Sequence, residues 1–211
     1  MENMMSFLLE GAWTALKLAL LTLAFSLPLG LIVAWGRMSR FKLIQYPVRL
    51  YQLIMRGTPL MLQLLVVYFG PYYVAELSWD RFTAAVVAFS INYAAYFAEI
   101  YRGGIESIPK GQYEAGAVLG FSRAQTFYRI VLPQVVKRIL PPMGSEFMVL
   151  VKDTALANTI GVMELLRNAN SVMAREFSIL PLVIAGLIYL ILNTVVERLF
   201  SATEKRLSYY E

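Results

Sequence analysis

Charged and hydrogen-bonding residues crowd one short stretch of a chain otherwise poor in them: Lys152, Asp153 and Thr154, then Asn158, Gly161 and Glu164. Two helical pieces are expected to meet between Thr154 and Gly161. A helix broken at membrane depth frees backbone N–H groups that can hold a carboxylate, and Asp153 or Glu164 could receive a positively charged amine. That is binding chemistry, not bond-making chemistry. Further candidates are Gln63, Asn92, Glu99 and Glu146, together with Thr58 between Arg56 and Pro59, where a proline would break a helix and leave backbone groups to line a path. Polar groups in apolar surroundings face a cavity or one another. Each therefore also has a plainer reading as a helix–helix hydrogen bond, and Glu99 can pair with Arg102 three residues on.

Catalysis finds no material here. Histidine and cysteine are both absent, which removes Ser-His-Asp triads, Cys-His dyads and zinc sites of the HExxH kind. No G-x-S-x-G and no G-x-x-x-x-G-K-[ST] occurs, so neither a nucleophile elbow nor a phosphate-cradling loop is available. No catalytic residue and no metal ligand is expected, and any active work must draw energy from a partner.

The elements that must position these residues are apolar helices. The chain has 211 residues, 58% hydrophobic and 16% charged, against about 25% charged in an ordinary soluble domain. Leu18 to Trp35, Gly57 to Ala75, Phe82 to Ala98 and Phe177 to Val196 are uncharged runs of 18, 19, 17 and 20 residues. A bilayer core roughly 30 Å thick needs about 20 helical residues. A fifth run, Ile139 to Val151, is shorter and is interrupted by Pro141, Pro142 and Glu146; it could be re-entrant, but a span reaching back to Gln134 is preferred. The expectation is an all-α integral membrane protein of one domain. Its five spans are placed near 12–36, 50–75, 81–101, 134–152 and 177–197. The first is too long for a signal-peptide core and lacks a cleavage site, so it is expected to be retained.

Basic residues supply an orientation. Thirteen of the 19 fall between spans one and two, between three and four, or after five, and four fall on the opposite side. That asymmetry alternates correctly for five spans with the N-terminus outside and the C-terminus in the cytoplasm. The net charge of +5 then reflects topology and not nucleic-acid binding. No two inverted halves are visible.

Between spans three and four, residues 105–133 form a polar loop with its own helical signals. Glu114 to Leu119 favour helix and Gly120 is its stop. Ser122 and Gln125 make a capping box that starts a second helix. Phe127, Tyr128 and Val131 give that helix an apolar face, and Leu132-Pro133 is expected to close the segment. Such a loop is preordered to press on another protein or to lie on the membrane surface, and the residues alone leave both open.

Glu114-Ala115-Gly116, then Gly120, then Ile130-x-Leu132-Pro133, resembles the E-A-A-x3-G-x9-I-x-L-P loop of ABC importer permeases. Only Gly116 departs from it, standing where the second alanine belongs. Arg56-Gly57-Thr58-Pro59-Leu60 with Gln63 is similar to the R-G-T-P-L-x-x-Q stretch of the polar amino-acid subfamily. Lys152-Asp153-Thr154 with Ile160-Gly161-Val162-x-Glu164-Leu165 is similar to its K-D-T-S-L…I-G-V-x-E-L stretch, with Ala155 in place of the serine.

The resemblance implies a type I importer fold, two permease subunits around a central path, and residence in the bacterial inner membrane. Two identical permease copies are the expectation. It also implies a cytoplasmic ATPase that binds ATP and Mg, so this chain needs no cofactor, and an extracytoplasmic binding protein. The loop becomes a coupling helix, with Glu114, Ala115, Gly116, Gly120, Phe121, Arg123, Ile130, Leu132 and Pro133 at or around the ATPase contact. Thr58, Gln63, Asp153, Thr154, Asn158, Gly161 and Glu164 become candidates for the substrate. The acidic groups flanking that segment favour a basic amino acid, with glutamine or glutamate as rival. A passive channel and a non-transporting scaffold are the readings from other classes.

Overall fold

The computed structural model describes residues 2–207, and its elements are helical throughout. The first, α1 (Glu2–Arg37), is 36 residues long, about 54 Å at 1.5 Å per residue, so it outruns the bilayer core. It lies along α4 (Arg81–Glu106), and this pair is the centre of the fold. Asp80 starts α4 by accepting from the Thr83 N–H at 3.1 Å, a standard N-cap. Buried alanines at 84, 85, 88, 94, 95 and 98 let neighbouring backbones approach closely, as small residues do between membrane helices. Phe89, Tyr93 and Phe97 fill the remaining space, and Phe97 stacks edge-on against Phe147 of the later helix α7.

α2 (Lys42–Gly57) and α3 (Leu60–Ala75) meet at a bend of 110°. The expected second span, 50–75, is therefore two helices and not one. Pro59 is the reason: it has no N–H and cannot extend α2, so Thr58 turns to an extended conformation and α3 starts afresh.

After α4 come α5 (Lys110–Val118), the short α6 (Arg123–Thr126), a π-helical turn over Phe127–Val131, and α7 (Leu132–Asp153). The expectation that Leu132-Pro133 closes the loop is corrected here, because helix runs unbroken through it. The wider turn before Pro133, in which the Leu132 N–H reaches Phe127 O, accommodates a proline that would clash in a tight helix. A 3-10 helix, Thr154–Ile160, then leads to α8 (Leu165–Glu176) and α9 (Leu180–Arg206).

By length and composition α1, α4 and α9 can each cross a membrane, and the bent α2–α3 pair qualifies as a fourth. The fifth expected span falls in α7, whose 22 residues are long enough but carry two internal prolines and several charges. Protein covers α7 through α4 and α9: Gly144 abuts Phe200, and Phe147 packs on Phe97 and Phe200. The outward faces of α1 and α9 leave Leu31, Ile32, Leu187, Leu190 and Ile191 exposed, a surface that only lipid or another apolar partner would cover.

Candidate functional site

Two regions gather the polar residues, and they are built differently. In the loop, α5 ends at Val118 and Gly120 takes φ +76°, a left-handed conformation that glycine adopts without strain. The Phe121 N–H then reaches Gly116 O at 2.9 Å and the Gly120 N–H reaches Ala117 O at 3.0 Å, the paired bonds of a Schellman stop. Ser122 accepts from the Gln125 N–H at 3.2 Å, and Gln125 accepts from the Ser122 N–H at 2.8 Å. The capping box is complete.

Gly116 is buried, and a Cβ added there would stand 2.5 Å from Thr126 Oγ1 and 2.6 Å from its Cγ2. Thr126 occupies the room that an alanine would need, which accounts for the one departure from the loop pattern. Val131 is fully buried with Ile108 and Val135, with Ile105, Phe127 and Ile139 packed against them; Ile130, Leu132, Pro133 and Phe121 are half-buried. Glu114, Ala115 and Arg123 are exposed, and Val118 and Leu119 at the tip stand 87% and 69% exposed. The helix stop and the capping box are both hydrogen-bonded while the apolar side chains of the tip are uncovered. One tie had no sequence signal: Gln134 donates to Gln112 Oε1 at 3.1 Å, joining α7 to α5.

At the α2–α3 bend, Pro59 leaves Met55 O without its helical N–H partner. Two side-chain amides replace it: Gln63 Nε2 donates to Met55 O at 3.0 Å and Asn92 Nδ2 at 2.9 Å. Gln63 also donates to Thr58 Oγ1 at 2.7 Å and accepts from Asn92 at 2.8 Å. Thr58, Gln63 and Asn92 thus form one bracket around the break. Arg56, beside it, lies over the Tyr96 ring at 5.5 Å and 3.9 Å from Glu99.

In the 152–164 stretch, Asp153 accepts from the Tyr93 hydroxyl at 2.8 Å. Thr154 is buried, its hydroxyl donating back to Val151 O at 2.6 Å. Asn158 accepts from Arg167 Nη1 at 3.2 Å, and Gly161 turns the chain at φ +84°. Glu164 is fully buried and N-caps α8, accepting from the N–H groups of Leu166 at 2.8 Å and Arg167 at 2.6 Å and from the Tyr189 hydroxyl at 3.0 Å. Burial pushes its carboxyl above the ordinary carboxylate value, against the pull of those donors. The free N–H groups expected at this helix start are occupied by the protein's own carboxylate.

Glu146 and Asp153 differ. They lie seven residues apart on α7, both half-buried, and no basic side chain comes within ion-pairing distance of either among the described residues. Arg56 forms its ion pair with Glu99 and not with Glu146.

The family model for the binding-protein-dependent transport system inner membrane component matches residues 26–209. The chain belongs to this family. The permease is 38% identical over 202 residues to the arginine transport system permease protein of Bacillus subtilis (strain 168), covering 95% of this chain and 92% of the relative. It is equally 38% identical to the glutamine transport system permease protein of Escherichia coli (strain K12), with the same coverage. Among solved structures it superposes on the crystal structure of an amino acid ABC transporter with histidines at TM-score 0.90 and 34% identity, covering 98% of this chain and 96% of that one. The MetNI methionine ABC transporter shares its fold at TM-score 0.76 and 18% identity, covering 99% of each chain. The permease is thus an amino-acid ABC transporter subunit of the inner membrane with the type I importer fold. Its relatives serve several amino acids, so membership alone does not choose the cargo.

Proposed function

We propose that two copies of the permease form the membrane path of an ATP-driven importer for polar amino acids with a positive side chain. The N-terminus lies outside, and the loop end of the bundle, with the C-terminus, lies in the cytoplasm. The loop tip docks on the ATPase subunit through Val118 and Leu119, with Glu114 and Arg123 as polar contacts. An external binding protein delivers the cargo.

The observation that carries the cationic reading is the unpaired couple Glu146 and Asp153. A carboxylate held within apolar helices is costly unless a cation or donor meets it. Asp153 has one hydroxyl, from Tyr93, and Glu146 has no hydrogen bond or ion pair in the described structure. A substrate guanidinium or ammonium would complete both. The bracket at Thr58 and Gln63 holds the facing break, and its backbone is the place for the substrate's α-groups. Asn158, Thr154, Gly161 and Glu164 shape the segment behind Asp153.

Uptake by proteoliposomes holding the permease, its ATPase and its binding protein tests this. Arginine should accumulate with ATP, and Glu146→Gln should reduce arginine uptake at least tenfold more than glutamine uptake, on the order of one lost charged contact. ATP-driven uptake of glutamine but not arginine by the unaltered protein would move the assignment to the neutral amino acid. Equal loss of both in Glu146→Gln would remove Glu146 from substrate selection.

A further inference from the structure

A third place carries two charges, Arg37 and Arg49, that neither the loop nor the path employs. At the coupling-loop end of the bundle a cavity of about 480 Å3 is walled by Arg37, Arg49, Gln52, Leu53, Arg56 and Glu99. Glu99 is already satisfied by Arg102, which donates to both its oxygens, with Arg56 at 3.9 Å. Arg37 and Arg49 have no such partner: neither guanidinium makes an ion pair or a hydrogen bond among the described residues. Gln52 is 5% exposed, and its buried Nε2 has no acceptor.

Two unpaired guanidinium groups and a buried amide donor around one cavity have a common complement, which is an oxyanion. The guanidinium fork matches phosphate oxygens two at a time. The setting narrows the source. Leu53, in the cavity wall, is 69% exposed, and Leu50 and Leu43 on the same helix are 56% and 90% exposed. Apolar surface therefore adjoins the basic pocket, as acyl chains adjoin a headgroup. Basic pockets between helix ends on the cytoplasmic side hold anionic lipid headgroups on these physical grounds.

We propose that this cavity binds the phosphodiester of an anionic lipid, with Arg37 and Arg49 on the phosphate oxygens and Gln52 supplying a neutral hydrogen bond. The site rests on the reading that the loop end faces the cytoplasm, but its occupancy does not depend on transport.

Native mass spectrometry of the purified permease–ATPase complex, titrated with phosphatidylglycerol, tests the proposal. Saturable lipid binding is expected, weakened about five- to tenfold by Arg49→Gln and by Gln52→Leu. Arg198→Gln, which removes the same charge from α9 at the same end of the bundle, should leave it unchanged. Arg49 is exposed, so its variant keeps the test readable even where Gln52→Leu fails to assemble. Unchanged binding in Arg49→Gln, or an equal loss in Arg198→Gln, would overturn the site. Displacement of the lipid by inorganic phosphate at equal concentration would overturn the lipid as its source. No uptake is measured, so failure here leaves the import reading standing, and failed import leaves this result readable.

Discussion

The loop tip and the α7 carboxylates are both polar departures from an apolar chain, yet they leave opposite things undone. At the tip the helix ends are hydrogen-bonded, through the Schellman stop at Gly120 and the capping box at Ser122. What remains uncovered there is apolar: Val118 and Leu119. On α7 the apolar packing is made, through Phe147 on Phe97 and Phe200, and what remains unpaired is charge. Uncovered apolar side chains call for a protein or a lipid surface, and a half-buried charge lacking a counter-ion calls for a small ion. On the function proposed above the first is a docking element and the second a cargo contact, each marked out by what it lacks.

The comparison is broken most severely at Gly120. Proline holds φ near −65°, whereas the turn needs +76°. Gly120→Pro should reduce substrate-stimulated ATPase activity to the basal rate while the permease stays in the membrane; normal stimulation would show that the turn does not set the tip. The bend at Pro59 comes next. Asn92→Leu removes one of the two amides on Met55 O and strands Gln63 Oε1, at about 1–3 kcal/mol. A lowered thermal-unfolding midpoint is expected, and an unchanged midpoint would mean the bracket is ornamental.

Gly116→Ala should fall at the low end of the about 1–3 kcal/mol that overpacking costs, since the strain lies against the single side chain of Thr126. Coupled ATPase activity should fall severalfold, and adding Thr126→Ala should recover it. Absence of recovery would separate the loop's one departure from its neighbour. The smallest effect belongs to Glu164→Gln, which keeps the shape of the α8 cap and weakens it by about 1 kcal/mol. Stability should drop slightly, with the ratio of arginine to glutamine uptake unchanged. A selective loss of arginine affinity would return Glu164 to the path.

Local signals were legible in the sequence wherever one turn of chain decides the outcome. Ser122 with Gln125, Gly120 after a helix-favouring run, and Pro59 as a breaker all act within four residues, and the structure uses each of them. The long-range ties were not legible. Asn92 meets Met55 O across 37 residues and Tyr93 meets Asp153 across 60, and no spacing rule links such positions. Glu164 was open to reading as a ligand contact or a helix–helix hydrogen bond, and it does bond Tyr189 of α9. Its role as the α8 cap was missed because a carboxylate before a helix carries no mark of which donors it will meet. The π-turn ahead of Pro133 was missed because a proline normally marks a boundary, while here the preceding backbone widens to pass it.

The central claim is that the loop tip is covered by a protein and does not rest on lipid. The chain has no cysteine, so Leu119→Cys introduces a single thiol. Its labelling by a membrane-impermeant maleimide should be fast in inside-out vesicles holding the permease alone and strongly slowed when the ATPase subunit is bound. Slow labelling in the absence of the ATPase, or labelling unaffected by it, would contradict the docking account and place the tip on the membrane or in open solvent.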